Sequence, residues 1–355
     1  MTTDIYIDFE CLKGPPPHPA LLGVLFGADG EALQQIITDE RLAPAKVAKR
    51  ERLVVDSVRG AVATLVNCAR ADDAAIVGWS YFDRDRMLEA CPELESEIVA
   101  RYVNALPMAR RWRQKVHPNV AIEREDAHAA KHTLDKYAAL TAYPGVEQLV
   151  DAAPATWIRH VIRQLKAKEG YYRRTTPEAK RDWHKLLEYN RHDLLALRHI
   201  VLKVRHELNA WHAYERTRFC FEDRDPRVKP GTTRVRQSRA ICFRIGSRNR
   251  RLAAVLEKHG VKQWAFITAW NPGSNPSSRE HNDAEQRRLR RVVEMRGLKA
   301  LPGEGIGENA AWTPEESLMI LGIGEDDAIE LGRRFGQMAI VVGRRGGVPR
   351  LVACA

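Results

Sequence analysis

The chain has no run of about 18 apolar residues, so a membrane-spanning helix is not expected. Its first residues show no basic-then-apolar leader pattern, and the expectation is a cytoplasmic protein with no membrane partner. Six cysteines (Cys11, Cys68, Cys91, Cys220, Cys242 and Cys354) are scattered without a single Cys-x-x-Cys pair. That scatter argues against a zinc knuckle and against a disulfide framework. Gly303-x-Gly305-x-Gly307 has neither the spacing nor the lysine of a phosphate-binding loop, and it is not a dinucleotide fingerprint.

What remains is an ordinary hydrophobic share, 44% over 355 residues, enough for two domains with separate cores. The net charge is +11 and unevenly spread. Between Thr156 and Arg251, 25 Lys and Arg face 10 Asp and Glu, so the rest of the chain is slightly acidic. A local basic surplus is the footprint of polyphosphate binding, although solvated helix faces give the same count.

Ile5 to Phe9 reads as a strand, and residues two apart on a strand share a face. Asp8 and Glu10 therefore project together, an arrangement that costs stability unless a cation sits between them. A hard divalent ion with oxygen ligands answers that need; a solvated acidic edge is the alternative. After the proline-rich loop at 13–19, Ala20 to Phe26 is a second strand, Ala28-Asp29-Gly30 a hairpin turn, and 31–38 a third strand. Residues 47–71 carry a helical period. Ala74 to Trp79 is a buried strand leading to Phe82-Asp83, with Phe82 expected in the core. Asp83 is either a helix N-cap or a carboxylate held at a strand-to-helix junction. The stretch 95–150 is expected to be helical with a basic loop at Arg110, Arg111, Arg113 and Lys115, and residues 155–168 form a basic helix. Tyr171, Tyr172, Arg173 and Arg174 make a loop suited to stacking on bases and gripping phosphates, or simply to packing. Trp183 to Leu208 is a strong amphipathic helix that puts Tyr189 and Asp193 one turn apart.

Together, Asp8-x-Glu10, Phe82-Asp83 and Tyr189-x-x-x-Asp193 resemble the three motifs of the DEDD exonucleases on the ribonuclease H-like fold. Tyr189 resembles the tyrosine subclass, since Glu188 stands where the histidine subclass would carry its histidine. Asp-Phe-Glu followed by Leu21-Leu22-Gly23-Val24, Thr133-Leu134 with Tyr137, and Tyr189-Asn190-Arg191-His192-Asp193 are similar to predicted RNase H-like nucleases associated with helicase and RecB-type modules. Gly78-Trp79-Ser80 departs from the Asn or His usual before Phe-Asp. The resemblance covers residues 1–212 and implies an α/β domain, a mixed sheet flanked by helices. It also implies 3′→5′ hydrolysis of DNA or RNA with two Mg²⁺ or Mn²⁺ ions about 3.5–4 Å apart. Asp8 would bridge the ions, with Glu10 and Asp193 at one, Asp83 at the other, and Tyr189 orienting water. The alternatives are a catalytically inactive nucleic-acid-binding protein, or a nuclease gated by a nucleotide-sensing C-terminal domain in defence or repair.

Residues 213–240 lose the apolar period and are expected to be a linker. From 241 to 355 a smaller α/β domain follows, with a helix at 248–259 and a buried strand at 263–270. Ser277-x-x-Glu280 is expected to open a basic helix by its capping-box spacing, and Thr313-Pro314-Glu315-Glu316 to repeat that logic. A hairpin ends the chain. This part resembles domain-of-unknown-function family 3293 over 245–345, on Ile267 to Pro272, Asn282, Trp312 to Ser317 and Phe335 to Ile340. Asn271, Ser274, Asn282 and Glu316, just after a buried strand, are candidates for a small-ligand or nucleotide-end site; an Asn-Pro-Gly turn and a capping acid are the competing reading.

Overall fold

Ile5, Ile7 and Phe9 leave one face of strand β1 (Ile5–Leu12), and Tyr6, Asp8 and Glu10 leave the other. This alternation decides which helix each half of the strand meets. The computed structural model describes residues 4–27, 32–48, 53–122, 132–150, 152–223, 235, 240–308 and 313–354. It divides into two units, Met1–Arg111 with Ala121–Val204, and Trp112–Val120 with Arg205–Ala355. The expected turn at 28–30 lies outside the described residues, as does most of 224–239.

In the first unit, β1, β2 (His18–Phe26) and β3 (Ala32–Ile37) form an antiparallel meander. The short strands β4 (Leu53–Val55), β5 (Ile76–Gly78) and β6 (Tyr102–Asn104) are added in parallel, giving the order β4-β3-β2-β1-β5-β6. One face packs Ile5, Ile7, Phe9, Leu22 and Val24 on helices α1 (Val58–Ala71) and α2 (Tyr81–Ala90), beside α3 (Glu95–Arg101). The other face meets α6 (Pro154–Ala167) and the 40-residue α7 (Pro177–Arg216). Helices α4 (Ala105–Val116) and α5 (Leu134–Leu140) complete this part of the chain. This is the expected α/β class, a mixed sheet flanked by helices.

Several local expectations are corrected. The helical period read over 47–71 holds only from Val58, because Leu53–Val55 pairs with β3 and Ser57 caps α1 by accepting the Gly60 amide at 3.0 Å. Ser80, not Asp83, caps α2. Phe82 is 40% exposed rather than in the core, since the first turn of α2 points it outward with Arg86 over its ring. Arg110, Arg111, Arg113 and Lys115 lie on α4 and not in a loop.

The second unit is built on an antiparallel sheet ordered β13-β12-β9-β11-β10-β7-β8. Its strands are β7 (Arg218–Phe221), β8 (Ile241–Phe243), β9 (Gln263–Thr268), β10 (Lys299–Ile306), β11 (Glu315–Leu321), β12 (Ala339–Arg344) and β13 (Arg350–Ala353). Helices α9 (Arg279–Met295) and α10 (Glu325–Arg334) cover Ala265, Ile267, Leu318, Ile320 and Ile340. Helix α8 (Arg250–Lys258) covers part of the opposite face, which carries Trp264, Phe266, Met319 and Val341.

Strand β7 occupies part of the stretch expected as linker. Its Cys220 stands opposite Cys242 of β8, and the two form a disulfide. The reading against disulfides is corrected there: cysteines 22 positions apart meet because adjacent antiparallel strands bring them into register. Glu315 and Glu316 begin strand β11 rather than capping a helix, because β11 sits between β9 and β10 and its apolar run pairs on both sides.

Candidate metal centre

The polar face of β1 turns Asp8 and Glu10 toward α7. One carboxylate oxygen from each of Asp8, Glu10 and Asp193 lies within 4.8 Å of the others. Asp83 reaches the same neighbourhood from the first turn of α2, where its Oδ1 accepts the backbone N–H of Phe9 at 3.2 Å. A bulge between Glu10 and Cys11 ends the regular pairing of β1 with β2 just past the second carboxylate.

Asn190, three residues before Asp193, orients the cluster. Its Nδ2 donates to Asp8 Oδ2 at 2.9 Å and to the Asp8 carbonyl at 3.3 Å. Its Oδ1 accepts from Gln35 Nε2 at 3.1 Å, and Gln35 also donates to the Leu187 carbonyl at 2.8 Å. Gly23 on β2 makes room for this amide, since a Cβ there would lie 2.3 Å from Asn190 Oδ1. On the other side, a Cβ at Gly78 would lie 2.1 Å from the Tyr102 hydroxyl and 3.1 Å from Asp83 Oδ2. The Gly78-Trp79-Ser80 departure thus keeps Asp83 and Tyr102 close, with Tyr102 donating to the Ser80 carbonyl.

Burial is the first cause that raises all four carboxyls. Asp8 is pushed up to about 6, moderated by the Asn190 hydrogen bond. Glu10, Asp83 and Asp193 rise well above the usual range, and the charges that add to burial are those of the other acids in the cluster, joined for Asp193 by Asp135. Tyr189 donates to Asp193; burial, then the negative charges of Asp193, Glu10 and Asp8, push its phenol up, so it stays protonated. Its ring packs edge-on against Trp157 at 6.1 Å.

These residues fit a hard divalent cation. Among the described residues Glu10 Oε1 is buried with no hydrogen-bond partner, and no lysine or arginine is among the main influences on the four carboxyls. Oxygen-only donors in such a set suit a hard cation over a soft one.

The aromatic-basic loop divides. Tyr171 is 55% exposed with the Arg174 guanidinium 4.5 Å from its ring centre. Tyr172 is buried among Ile37, Leu42 and Leu165, so its ring packs the core instead of facing a base. The Arg173 carbonyl accepts from Lys180 Nζ.

In the second unit, Asn271 adopts a left-handed backbone (φ 47°) and is clamped by the buried Asn282, which accepts the Asn271 N–H at 2.9 Å and donates to its Oδ1 at 3.0 Å. Ser274 shares a hydrogen bond with Tyr214 at 2.8 Å. Glu316 is not brought to these residues, because alternation along β11 gives that face to Glu315, whose Oε1 accepts from Asn271 Nδ2 at 2.7 Å. Sequence reasoning missed Glu315, Gln35 and the clamping role of Asn190. Gln35, a buried amide in the apolar strand β3, was the readable signal for its own part.

Residues 267–340 match the family described as "Protein of unknown function (DUF3293)", the family expected for this stretch. No curated protein matches the chain. Among solved structures, an apo exonuclease I is similar at 12% identity and TM-score 0.30, the match covering 63% of this chain and 50% of that one. A product-bound exonuclease I is similar at 12% identity and TM-score 0.29, over 95% of this chain and 68% of that one. The chain thus spans half the length of the first. Likeness of this degree fixes neither activity nor mechanism. Among the described residues, no helix is long and apolar enough to cross a membrane.

Proposed function

We propose that the first unit is a metal-dependent 3′→5′ exonuclease of the DEDD tyrosine subclass, acting on phosphodiester bonds of DNA or RNA, with the second unit accessory to it. One observation carries the reading: three carboxylates from β1 and α7 meet within 4.8 Å, and Glu10 Oε1 is buried with no hydrogen-bond partner among the described residues. Three buried acids and the half-buried Asp8, with no basic partner among the described residues, are a costly arrangement for a fold, and divalent cations relieve it. Asp8, Glu10 and Asp193 would hold one ion, and Asp83 with Asp8 a second. When bound, such ions supply the Lewis acidity that activates water and neutralises the leaving oxygen.

The chain's own residues do the positioning. Asn190 fixes the rotamer of Asp8, and the Phe9 N–H fixes that of Asp83. Tyr189, held protonated, gives its single O–H to Asp193, which leaves the phenol oxygen to accept a proton of the attacking water and orient it. The exposed Tyr171 with Arg174 offers a stacking face and a cation for a single strand. The 3′→5′ polarity is what the resemblance of these motifs to the DEDD exonucleases implies.

The test uses end-labelled single-stranded DNA and RNA with Mn²⁺. A ladder shortening from the 3′ end is expected, reduced by roughly 10²-fold or more in Asp8→Ala and Asp193→Asn. Oligonucleotides that stay intact with the wild-type protein would overturn the proposal.

A further inference from the structure

Gly303 and Gly305 lie two apart on β10 and therefore share a face. A Cβ on Gly303 would stand 2.6 Å from the Phe266 ring, so that glycine lets the ring lie against the strand. A Cβ on Gly305 would meet only Thr217 Cγ2, at 3.9 Å. The second glycine thus opens space instead of relieving a contact. That space is part of a cavity of ≈ 260 Å³ contained wholly in the second unit.

Phe219 and Phe266, edge to face at 5.4 Å, line it together with Ala339 and Val341 of β12. Two acids line it: Glu308 is exposed and pairs with Arg216 at 3.4 Å, whereas Glu315 is buried, at 8% exposed. Among the described residues Asn271 is the one hydrogen-bond partner of that carboxyl, and no lysine or arginine pairs with it. Burial raises its pKa, and burial with the nearby Glu315 charge raises the Tyr214 phenol to about 12. A buried carboxyl that accepts a single hydrogen bond retains most of its lone-pair capacity. Such a group is matched by two parallel N–H donors, and aromatic walls favour a flat partner. The volume suits a ring system of nucleobase size and not a polymer.

We propose that this cavity binds a small planar molecule that presents two adjacent N–H donors to Glu315, the chemistry shared by a guanine base and an aromatic amidine. The site shares no residue with the carboxylate cluster, so it stands or falls apart from the nuclease reading.

The test uses the full chain with guanosine, benzamidine and adenosine, which lacks the paired donors, read by calorimetry and thermal shift. Guanosine or benzamidine binds at least about tenfold tighter than adenosine, and Glu315→Gln weakens that binding by about tenfold or more. Gly305→Leu fills the void and abolishes binding. Should leucine prevent folding, Gly305→Ala adds a carbon that meets nothing closer than 3.9 Å and weakens binding in a folded protein. Response to guanosine alone assigns the donor pair to a base, and response to benzamidine alone assigns it to a cationic amidine or guanidine; either supports the site. No response to both, an equal response to adenosine, or undiminished affinity in Glu315→Gln overturns it.

Discussion

The side-chain amide of Asn190 donates to Asp8 Oδ2 at 2.9 Å, joining residues 182 positions apart in the chain. Gln35 holds the other end of that amide, so its orientation is fixed from both sides. Asn190→Ala should leave Asp8 free to rotate and weaken Mn²⁺ binding by about 10–100-fold. It should also cost about 1–2 kcal/mol of stability, because the Asp8 carboxylate and the Gln35 amide each lose a partner. Calorimetric titration with Mn²⁺ and chemical denaturation measure the two effects separately.

Gly23 gives a second handle on the same contact. Gly23→Ala places a methyl 2.3 Å from Asn190 Oδ1 and 2.7 Å from Leu194 Cδ1, so α7 or the amide must yield. A loss of about 1–3 kcal/mol is expected, with weaker Mn²⁺ binding. The double variant with Asn190→Ala should lose less than the sum of the two, since both act on one contact. Strict additivity would show that Gly23 is not seated against Asn190.

The carboxylate cluster makes stability depend on pH in a definite direction. All four acids have folded values above their unfolded ones, so the metal-free native state holds protons more tightly than the unfolded chain. Their contribution is fully present below the unfolded values of 3.8 and 4.5, and it is lost as pH rises through the folded ones, about 6 for Asp8. For Asp8 alone the loss is on the order of 2–3 kcal/mol. In EDTA, Tm should therefore fall from pH 5 to 8 more steeply in the wild type than in Asp8→Asn/Glu10→Gln. Added Mn²⁺ should raise Tm more at pH 8 than at pH 5, because binding displaces protons. A Mn²⁺ response of the same size at both pH values would count against a carboxylate site.

The Cys220–Cys242 bridge closes a loop between residues 22 apart. Alkylation without reductant should leave that pair unmodified while the four thiols of Cys11, Cys68, Cys91 and Cys354 remain free. Reduction should lower stability by about 3 kcal/mol on the loop-entropy estimate. Cys220→Ser/Cys242→Ser should reproduce that loss and become insensitive to reductant.

Periodicity carried much of the architecture. Alternation at Ile5 to Glu10 and the three-four spacing around Asn190 and Leu194 are local signals, and they located β1 and α7. What stayed hidden depended on partners remote in sequence. Glu315 and Glu316 are indistinguishable until the pairing of β11 assigns a face to each. Tyr172 looks like its neighbour Tyr171 until Ile37 and Leu165 enclose it. Cys220 and Cys242 become a pair only when β7 and β8 lie side by side. Leu53–Val55 is too short for its own pattern to outweigh the helical period that follows, and β3 supplies the pairing that makes it a strand.

The glycines of β10 carry a consequence of their own. Sliding this strand by one position against β7 and β11 would bring Pro302 and Glu304 to the inward side and carry the glycines to the outward side. The hollow would close although every residue bordering it remained in the chain. Its presence is therefore encoded in how the strands are aligned, and a single-residue insertion or deletion before Gly303 would erase it as surely as leucine at Gly305.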